Sequence, residues 1–337
     1  MERRNDRIVV TGATGFLGSH YVRWALSQGF RVRGTGRNLE EGRKLVEMGA
    51  EFVAIDLGRA TEGELAELVE GADSVIHCAA LSSVWGRYED FYLANVMASE
   101  KIARASLRAG VRRFVHISSP SVYITPEDRL GIREEETLPE KKINFYADTK
   151  AKAELKIDEV TSAGLSAITL RPQGIFGVGD RAILPRIIRV ARKGFFPVIR
   201  SREILIDLTA VENVVHAIEC ARNAPGAAVG RKYNITNGEP IKNAEAVAYV
   251  LGSLGISYRE KFIGFRKAWI IATLLEAVHR IFLKNSEPLL TRYSVCALGF
   301  ARTLDIRNAE KDLGYRPVVA LKPALERTLE WLKASGY

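Results

Sequence analysis

Cysteine is scarce in this chain of 337 residues: Cys78, Cys220 and Cys296 are odd in number and far apart. That argues against a disulfide framework and against a cysteine-held metal site; no metal site is expected, and a reducing cytoplasm is the expected compartment. Long apolar runs are missing too, none approaching the roughly 18 residues of a membrane-spanning helix. The start carries Glu2, Arg3, Arg4, Asp6 and Arg7 and leads into only three apolar residues, Ile8 to Val10, before the glycines begin, a pattern unlike a signal peptide. Blocks of one charge are absent as well. The 49 Lys and Arg outnumber the 40 Asp and Glu, for a formal charge of +9, but the two signs are interspersed, which speaks against nucleic acid as a partner. There is no internal repeat or low-complexity stretch, and 47% apolar residues suffice for two domains or for one large α/β unit with an appended lobe.

What is present begins at Ile8 to Gly18, where a short apolar run breaks into Gly12, Gly15 and Gly18. The pattern reads as a buried strand over Ile8 to Val10, a tight turn, and a helix from Ser19 to Ser27. Such a turn aims backbone N–H groups and the positive end of a helix at one spot, which suits a pyrophosphate. Gly12, Thr14, Gly15, Phe16, Leu17 and Gly18 form the candidate cradle. The spacing differs from G-x-G-x-x-G and alone is equally compatible with a packing turn, so the context decides. The dispersed positive charge fits a solvated surface with an anionic cofactor.

A second strand, Phe30 to Thr35, ends at Gly36-Arg37-Asn38. In a dinucleotide fold an acid here holds the ribose 2′-hydroxyl, whereas an arginine holds a 2′-phosphate. No acid stands at this strand end, so Arg37 favours NADP(H), with NAD(H) still open. The alternative is a solvent-facing arginine in a stretch that also holds Arg31 and Arg33.

Glu51 to Ile55 reads as a third strand ending in Asp56-Leu57, and Ser74 to His77 as a fourth ending in Cys78-Ala79-Ala80. Helical segments at Glu62 to Glu70 and Ala94 to Ala109 alternate with strands, which implies right-handed crossovers, a mostly parallel sheet and a crevice at the strands' carboxyl ends. Small Ala79 and Ala80 suit either a close cofactor or tight packing, and His77 reads as structural. A fifth strand, Arg113 to Ile117, runs into Ser118-Ser119. Downstream, Tyr146 and Lys150 are spaced to share one helix face. An ammonium beside a phenol stabilises phenolate, and a serine hydroxyl can hold the same substrate oxygen, which together make a proton relay between carbonyl and alcohol. Ser119 is the candidate hydroxyl. Ser118 is the fallback, because a shift of one residue changes which side chain faces the site.

Thr11 to Gly18, Asp56-Leu57, His77 to Ala80, Asn95-Val96, Ser119 and Tyr146 to Lys150 occur in the order found in the extended short-chain dehydrogenase/reductase superfamily. The chain resembles that group over nearly its whole length, and Leu170 to Asp180 looks like its Arg-Pro segment beside the nicotinamide. Within it, Ala79 to Gly86, Asp207 to Ala217, Tyr233 to Pro240 and Glu287 to Arg292 are similar to the 3β-hydroxysteroid dehydrogenase-like branch, which includes the bacterial OleD-type 2-alkyl-3-ketoalkanoate reductases. Pro120 and Ser121 stand where sugar-nucleotide dehydratases carry an acidic pair, so dehydration is disfavoured. The resemblance implies an α/β fold: a Rossmann-like, doubly wound parallel sheet over 1–178, with 204–237 returning to it, and a smaller, mostly helical substrate lobe from 179–203 and 238–337. It implies NAD(P)-dependent hydride transfer with Ser119, Tyr146 and Lys150 as the relay. Lys150 would lower the Tyr146 pKa and hold the nicotinamide ribose. The cofactor would lie on the glycine cradle, Arg37, Asp56, Leu57, Ala79, Ala80, Tyr146, Lys150 and Pro172. It also implies a homodimer built on the Tyr146 helix. The alternatives are a sugar-nucleotide epimerase with tightly held NAD and a non-catalytic dinucleotide-binding protein.

Phe262 to Leu283 is largely apolar, and its polar residues Arg266, Thr273, Glu276 and Arg280, with Lys284, fall roughly on one stripe at helical spacing. It reads as a helix packed on the lobe, a lid over an apolar pocket, or a peripheral membrane contact through 262–283. All three suit a small apolar substrate better than a sugar. Asn308 to Pro317 and Ala324 to Lys333 read as closing helices.

Overall fold

The computed structural model describes residues 6–283 and 286–337, so Glu2, Arg3, Arg4 and Lys284, named above, lie outside the described residues. Strand β1 (Arg7–Thr11) is apolar on both sides. Ile8 and Val10 join one buried layer with Leu17, Tyr21 and Val214, while Val9 joins another with Leu65, Ile102 and Ile157. A strand apolar on both faces needs helices on both faces.

Around it lie β2 (Arg31–Gly36), β3 (Glu51–Ala54), β4 (Ser74–His77), β5 (Arg113–Ile117), β6 (Ala167–Pro172) and β7 (Lys232–Ile235), all parallel. Their order is β7-β6-β5-β4-β1-β2-β3. The chain runs outward from β1 to β3 and then crosses to β4, so the sheet reverses direction between β1 and β4, where Thr11 lies opposite His77. Ligands of doubly wound sheets bind outside the carboxyl ends at such a point.

Two local expectations are corrected. The first helix is Phe16–Ser27, three residues longer at its start than Ser19, because Gly18 packs inside the helix. A Cβ on Gly18 would stand 2.2 Å from the Gly12 carbonyl oxygen, so this glycine serves close packing. The helix expected over Ala94 to Ala109 begins at Tyr88, and its Tyr92–Met97 turn is π-helical before Ala98–Arg108 continues as α. Such bulges often accompany functional sites. Here the bulge presents Asn95, whose side chain accepts from Leu81 N (2.7 Å) and donates to Thr149 Oγ1 (3.0 Å), tying the loop after β4 to the Tyr146 helix.

The C-terminal lobe is less purely helical than the resemblance implies. Besides the helices Ile183–Ala191, Asn243–Ser253, Phe265–Ile281 and Arg292–Gly299 there is a four-stranded sheet, ordered Ile241–Lys242, Leu205–Ile206, Arg302–Leu304, Arg129–Ile132. Arg259–Ile263 forms a strand with Phe195–Ile199, so Phe262 and Ile263 belong to a strand and Gly264 caps the helix that follows. The chain closes with helices Arg307–Leu313 and Leu321–Ala334.

Candidate active site

Gly12 has a positive φ of 65°, and a Cβ there would stand 2.8 Å from the Ala79 backbone, so glycine is required twice over. Gly15 is exposed and caps the Phe16–Ser27 helix with no side-chain hydrogen bond. Its own N–H donates to Gly12 O (2.9 Å), and the first-turn amides that follow have no side-chain acceptor among the described residues. That leaves N–H donors and the positive helix end facing open space, which fits a pyrophosphate. Thr14 lies against Gly36, where a Cβ would meet its Oγ1 at 2.4 Å, and the Phe16 ring packs edge-on against His20. Leu17 is buried.

Arg37 is exposed at the end of β2 and makes no ion pair or hydrogen bond among the described residues, whereas Arg33 is held by Glu51 at 2.8 Å. Asn38 accepts from Glu41 N and is used as a helix cap. Beyond β3, Asp56 accepts from Gly58 N (3.2 Å) and Leu57 is buried. Ala79 and Ala80 are half-buried, with Ala79 N donating to Thr11 Oγ1 at 3.2 Å, and Pro172 closes β6. An arginine unpaired among the described residues at the β2 end and an uncapped helix at the glycine turn together fit a dinucleotide.

Tyr146 enters on the first turn of the Phe145–Ser162 helix, whose cap is Asn144, accepting from Ala147 N at 2.9 Å. The Ser119 and Ser82 hydroxyls lie near enough to its phenol for each to lower the phenol pKa. Burial raises the phenol pKa above the ordinary value, against the lowering effect of Ser119, and Tyr293 adds to the rise. Lys150, one turn on, is buried and its Nζ donates to Ile117 O at 2.6 Å. Burial pulls its pKa down to about 8, opposed by Glu154. The expected lowering of the phenol pKa by Lys150 is thus corrected.

Ser118 turns the other way. Its hydroxyl donates to Glu154, which also takes Arg171 Nε (2.8 Å) and Nη2 (2.6 Å), both residues being 2% exposed. Burial would raise the Glu154 pKa, but Arg171 and Ser118 outweigh it and hold the carboxylate charged. Sequence reading missed this pair, although Glu154 stands one turn beyond Lys150 in the chain. It missed Ser82 too, which only the fold of the loop after β4 brings to Tyr146. His77 is buried between Thr11 Oγ1 (2.7 Å) and Ser99 Oγ (2.8 Å), and burial with the Lys150 charge pulls its pKa to about 3.

At the start of the Phe145–Ser162 helix opens a cleft of about 700 Å³, lined by Phe145 and Asp148 of that helix, by Trp85, Tyr88, Phe91 and Tyr293, and by charged side chains that include Lys141, Lys142 and Lys152. Arg280, from the Phe265–Ile281 helix, lies over the rings of Trp85 and Phe145. That helix is inside out relative to a core helix. Its inward side is Ala268, Ala272 and Glu276, the last paired with Arg292 at 2.8 Å. Ile270, Leu274 and Ile281 are 59–62% exposed, and Phe282 beyond them 76%. Among the described residues no helix is long and apolar enough to cross a membrane.

Over residues 8–236 the chain matches the NAD dependent epimerase/dehydratase family. It is 32% identical over 336 residues to the 2-alkyl-3-oxoalkanoate reductase of Stenotrophomonas maltophilia, covering 98% of this chain and 99% of that protein. It is 30% identical over 332 residues to the decarboxylating sterol-4-alpha-carboxylate 3-dehydrogenase of Mus musculus, covering 96% and 90%. The solved UDP-glucuronic acid 4-epimerase of Bacillus cereus, in complex with NAD, superposes with a TM-score of 0.77 at 20% identity, over 98% of this chain and 100% of that one. At that identity the likeness is one of fold. The matched segment takes in the glycine turn, Ser119, Tyr146 and Lys150, and the chain belongs to the NAD dependent epimerase/dehydratase family.

Proposed function

We propose that the protein is an NADP(H)-preferring oxidoreductase that interconverts a secondary alcohol and a ketone on an apolar 3-hydroxy or 3-oxo acid, long-chain or steroid-like. The observation that carries this reading is the meeting of Ser119 and Ser82 at the Tyr146 phenol, with buried Lys150 one turn away. When bound, the nicotinamide supplies or takes up the hydride. The glycine cradle would hold its pyrophosphate, Arg37 its 2′-phosphate, Asp56 and Leu57 the adenine side, and Lys150 the nicotinamide ribose. Ser119 and Ser82 hold the substrate oxygen, and Tyr146 passes a proton between its phenol and that oxygen. A phenol is protonated at neutral pH and burial raises its pKa further, which suits it to act as the acid in ketone reduction.

The substrate class is drawn from the names of the two relatives; the aromatic side chains of the cleft suit an apolar chain, beside the charged residues that also line it. The outward aliphatic face of the Phe265–Ile281 helix rests, in this reading, on an anionic lipid surface from which such a substrate is drawn. Lys261, Arg266 and Lys267 are exposed along it, while the acids of 259–283, Glu260 and Glu276, are paired with Arg202 and Arg292.

The test is oxidation of a 2-alkyl-3-hydroxy acid with NADP⁺, followed by the absorbance of the reduced nicotinamide. Stoichiometric product ketone supports the proposal. Turnover of a sugar nucleotide by a cofactor that never exchanges overturns it.

A further inference from the structure

Three acids line the cleft at the start of the Phe145–Ser162 helix, and two of them are already paired there. Glu276 accepts from Arg292 N at 2.7 Å and from Arg292 Nε at 2.8 Å. Asp148 accepts from Lys152 Nζ at 2.7 Å and from the Tyr88 phenol at 3.2 Å. The third, Glu140, is exposed. Of the five cations that line the same cleft, Lys142 donates to Pro139 O and Lys141 is exposed, which leaves Arg280 as the one fixed in place without an anion. Its guanidinium carbon lies 4.5 Å from the centre of the Phe145 ring and 4.9 Å from that of Trp85. Among the described residues that guanidinium makes no ion pair or hydrogen bond. The preceding residue, His279, packs edge-on against Trp85 at 6.3 Å, so two successive side chains set the end of the Phe265–Ile281 helix against the cleft. Cation–π contact holds the guanidinium in position and leaves its N–H donors without a protein acceptor. Arg280 is exposed, so a ligand can reach those donors.

We propose that Arg280 anchors the carboxylate of an apolar acid bound in this cleft. The planar guanidinium presents parallel N–H donors that match the two oxygens of a carboxylate. The aromatic side chains beside it suit an apolar remainder, which free phosphate lacks. Phe145, under Arg280, directly precedes Tyr146, so the anchor borders the helical turn that carries the candidate proton donor. The identification of the bound acid as substrate rests on the redox reading above, and Arg280 is then the residue that selects 3-hydroxy and 3-oxo acids over neutral alcohols and ketones.

The experiment is calorimetric titration of the full chain with decanoate and with decan-1-ol, two probes alike in chain and different in charge. Wild type is expected to bind decanoate roughly 10-fold tighter or more, as a charge-assisted pair implies. Arg280→Met, which keeps an apolar side chain over the two rings, is expected to lose that preference with decan-1-ol binding unchanged. Arg280→Lys is expected to keep part of it, since the charge remains and the planar fork is gone. Leu274→Glu with Ile281→Glu, on the outward face of the same helix, is expected to retain the preference in full. Equal binding of the two probes by wild type overturns the proposal, as does a preference that survives in Arg280→Met. A preference lost in the Leu274 and Ile281 double variant places the probe on the outer face and overturns it too. If Arg280→Met does not fold, Arg280→Lys decides by the same ratio, an undiminished preference counting against the proposal. The two readings fail separately: an Arg280-dependent carboxylate preference without turnover of any alcohol or ketone sinks the redox reading alone, and turnover without that preference sinks this one alone.

Discussion

Ser118 and Ser119 are neighbours in the chain and part company at the end of β5, one bonded to the buried Glu154, the other close enough to the Tyr146 phenol to lower its pKa. Their substitutions therefore separate cleanly. Ser119→Ala is expected to lower kcat by roughly 10²- to 10³-fold, the effect of removing one donor from a developing oxyanion, with little change in stability. Ser118→Ala removes a partner of a buried charge and is expected to cost about 1.5 to 3 kcal/mol of stability, measured by urea unfolding, while kcat stays within a few-fold. Equal kinetic effects from the two would refute the division.

Lys150 titrates at about 8 in the folded chain. Because that is below the unfolded lysine value, the fold disfavours the protonated form. The penalty is complete below about pH 8 and is relieved as pH rises toward the unfolded pKa. Between about pH 7 and pH 10 the unfolding free energy of wild type, taken relative to Lys150→Met, is expected to rise by roughly 2 to 3 kcal/mol. A flat or falling difference contradicts the buried amine.

Arg37 is unpaired among the described residues at the β2 end, so Arg37→Ala is expected to weaken NADPH binding by roughly 10- to 100-fold, as loss of a charge-assisted contact does, and to leave NADH nearly unchanged. Calorimetry with both cofactors reads this directly. Equal losses for the two would remove the 2′-phosphate from Arg37.

The exposed helix face makes a claim about location. Vesicles containing anionic phospholipid are expected to sediment the protein, neutral vesicles to do so weakly, and added salt to weaken the binding. Leu274→Glu with Ile281→Glu is expected to abolish it without altering turnover of a short, water-soluble hydroxy acid. Retention of vesicle binding by that double variant excludes this face.

The sheet was largely legible, because the continuous apolar run of β1 and the glycines spaced three apart leave few other folds. The phase at the end of β5 was not: Ser118 and Ser119 are chemically alike, and only the position of Glu154 decides which turns inward. The Phe265–Ile281 helix defeated its own pattern. A stripe containing Glu276 reads as solvent-facing, and Arg266, Thr273 and Arg280 are exposed, yet Arg292, beyond the helix, neutralises Glu276 and lets that one residue face in beside Ala268 and Ala272. The approach of Ser82 to Tyr146 carries no local signal, since it depends on how the loop after β4 folds over a distant helix.

The measurement closest to the central claim is single-turnover reduction of a 3-oxo acid by NADPH in wild type and Tyr146→Phe. The expected result is a hydride-transfer rate lower by roughly 10²- to 10⁴-fold in the variant, with NADPH affinity preserved. A Tyr146→Phe protein that reduces the ketone at near the wild-type rate contradicts the assignment of Tyr146 as the proton donor.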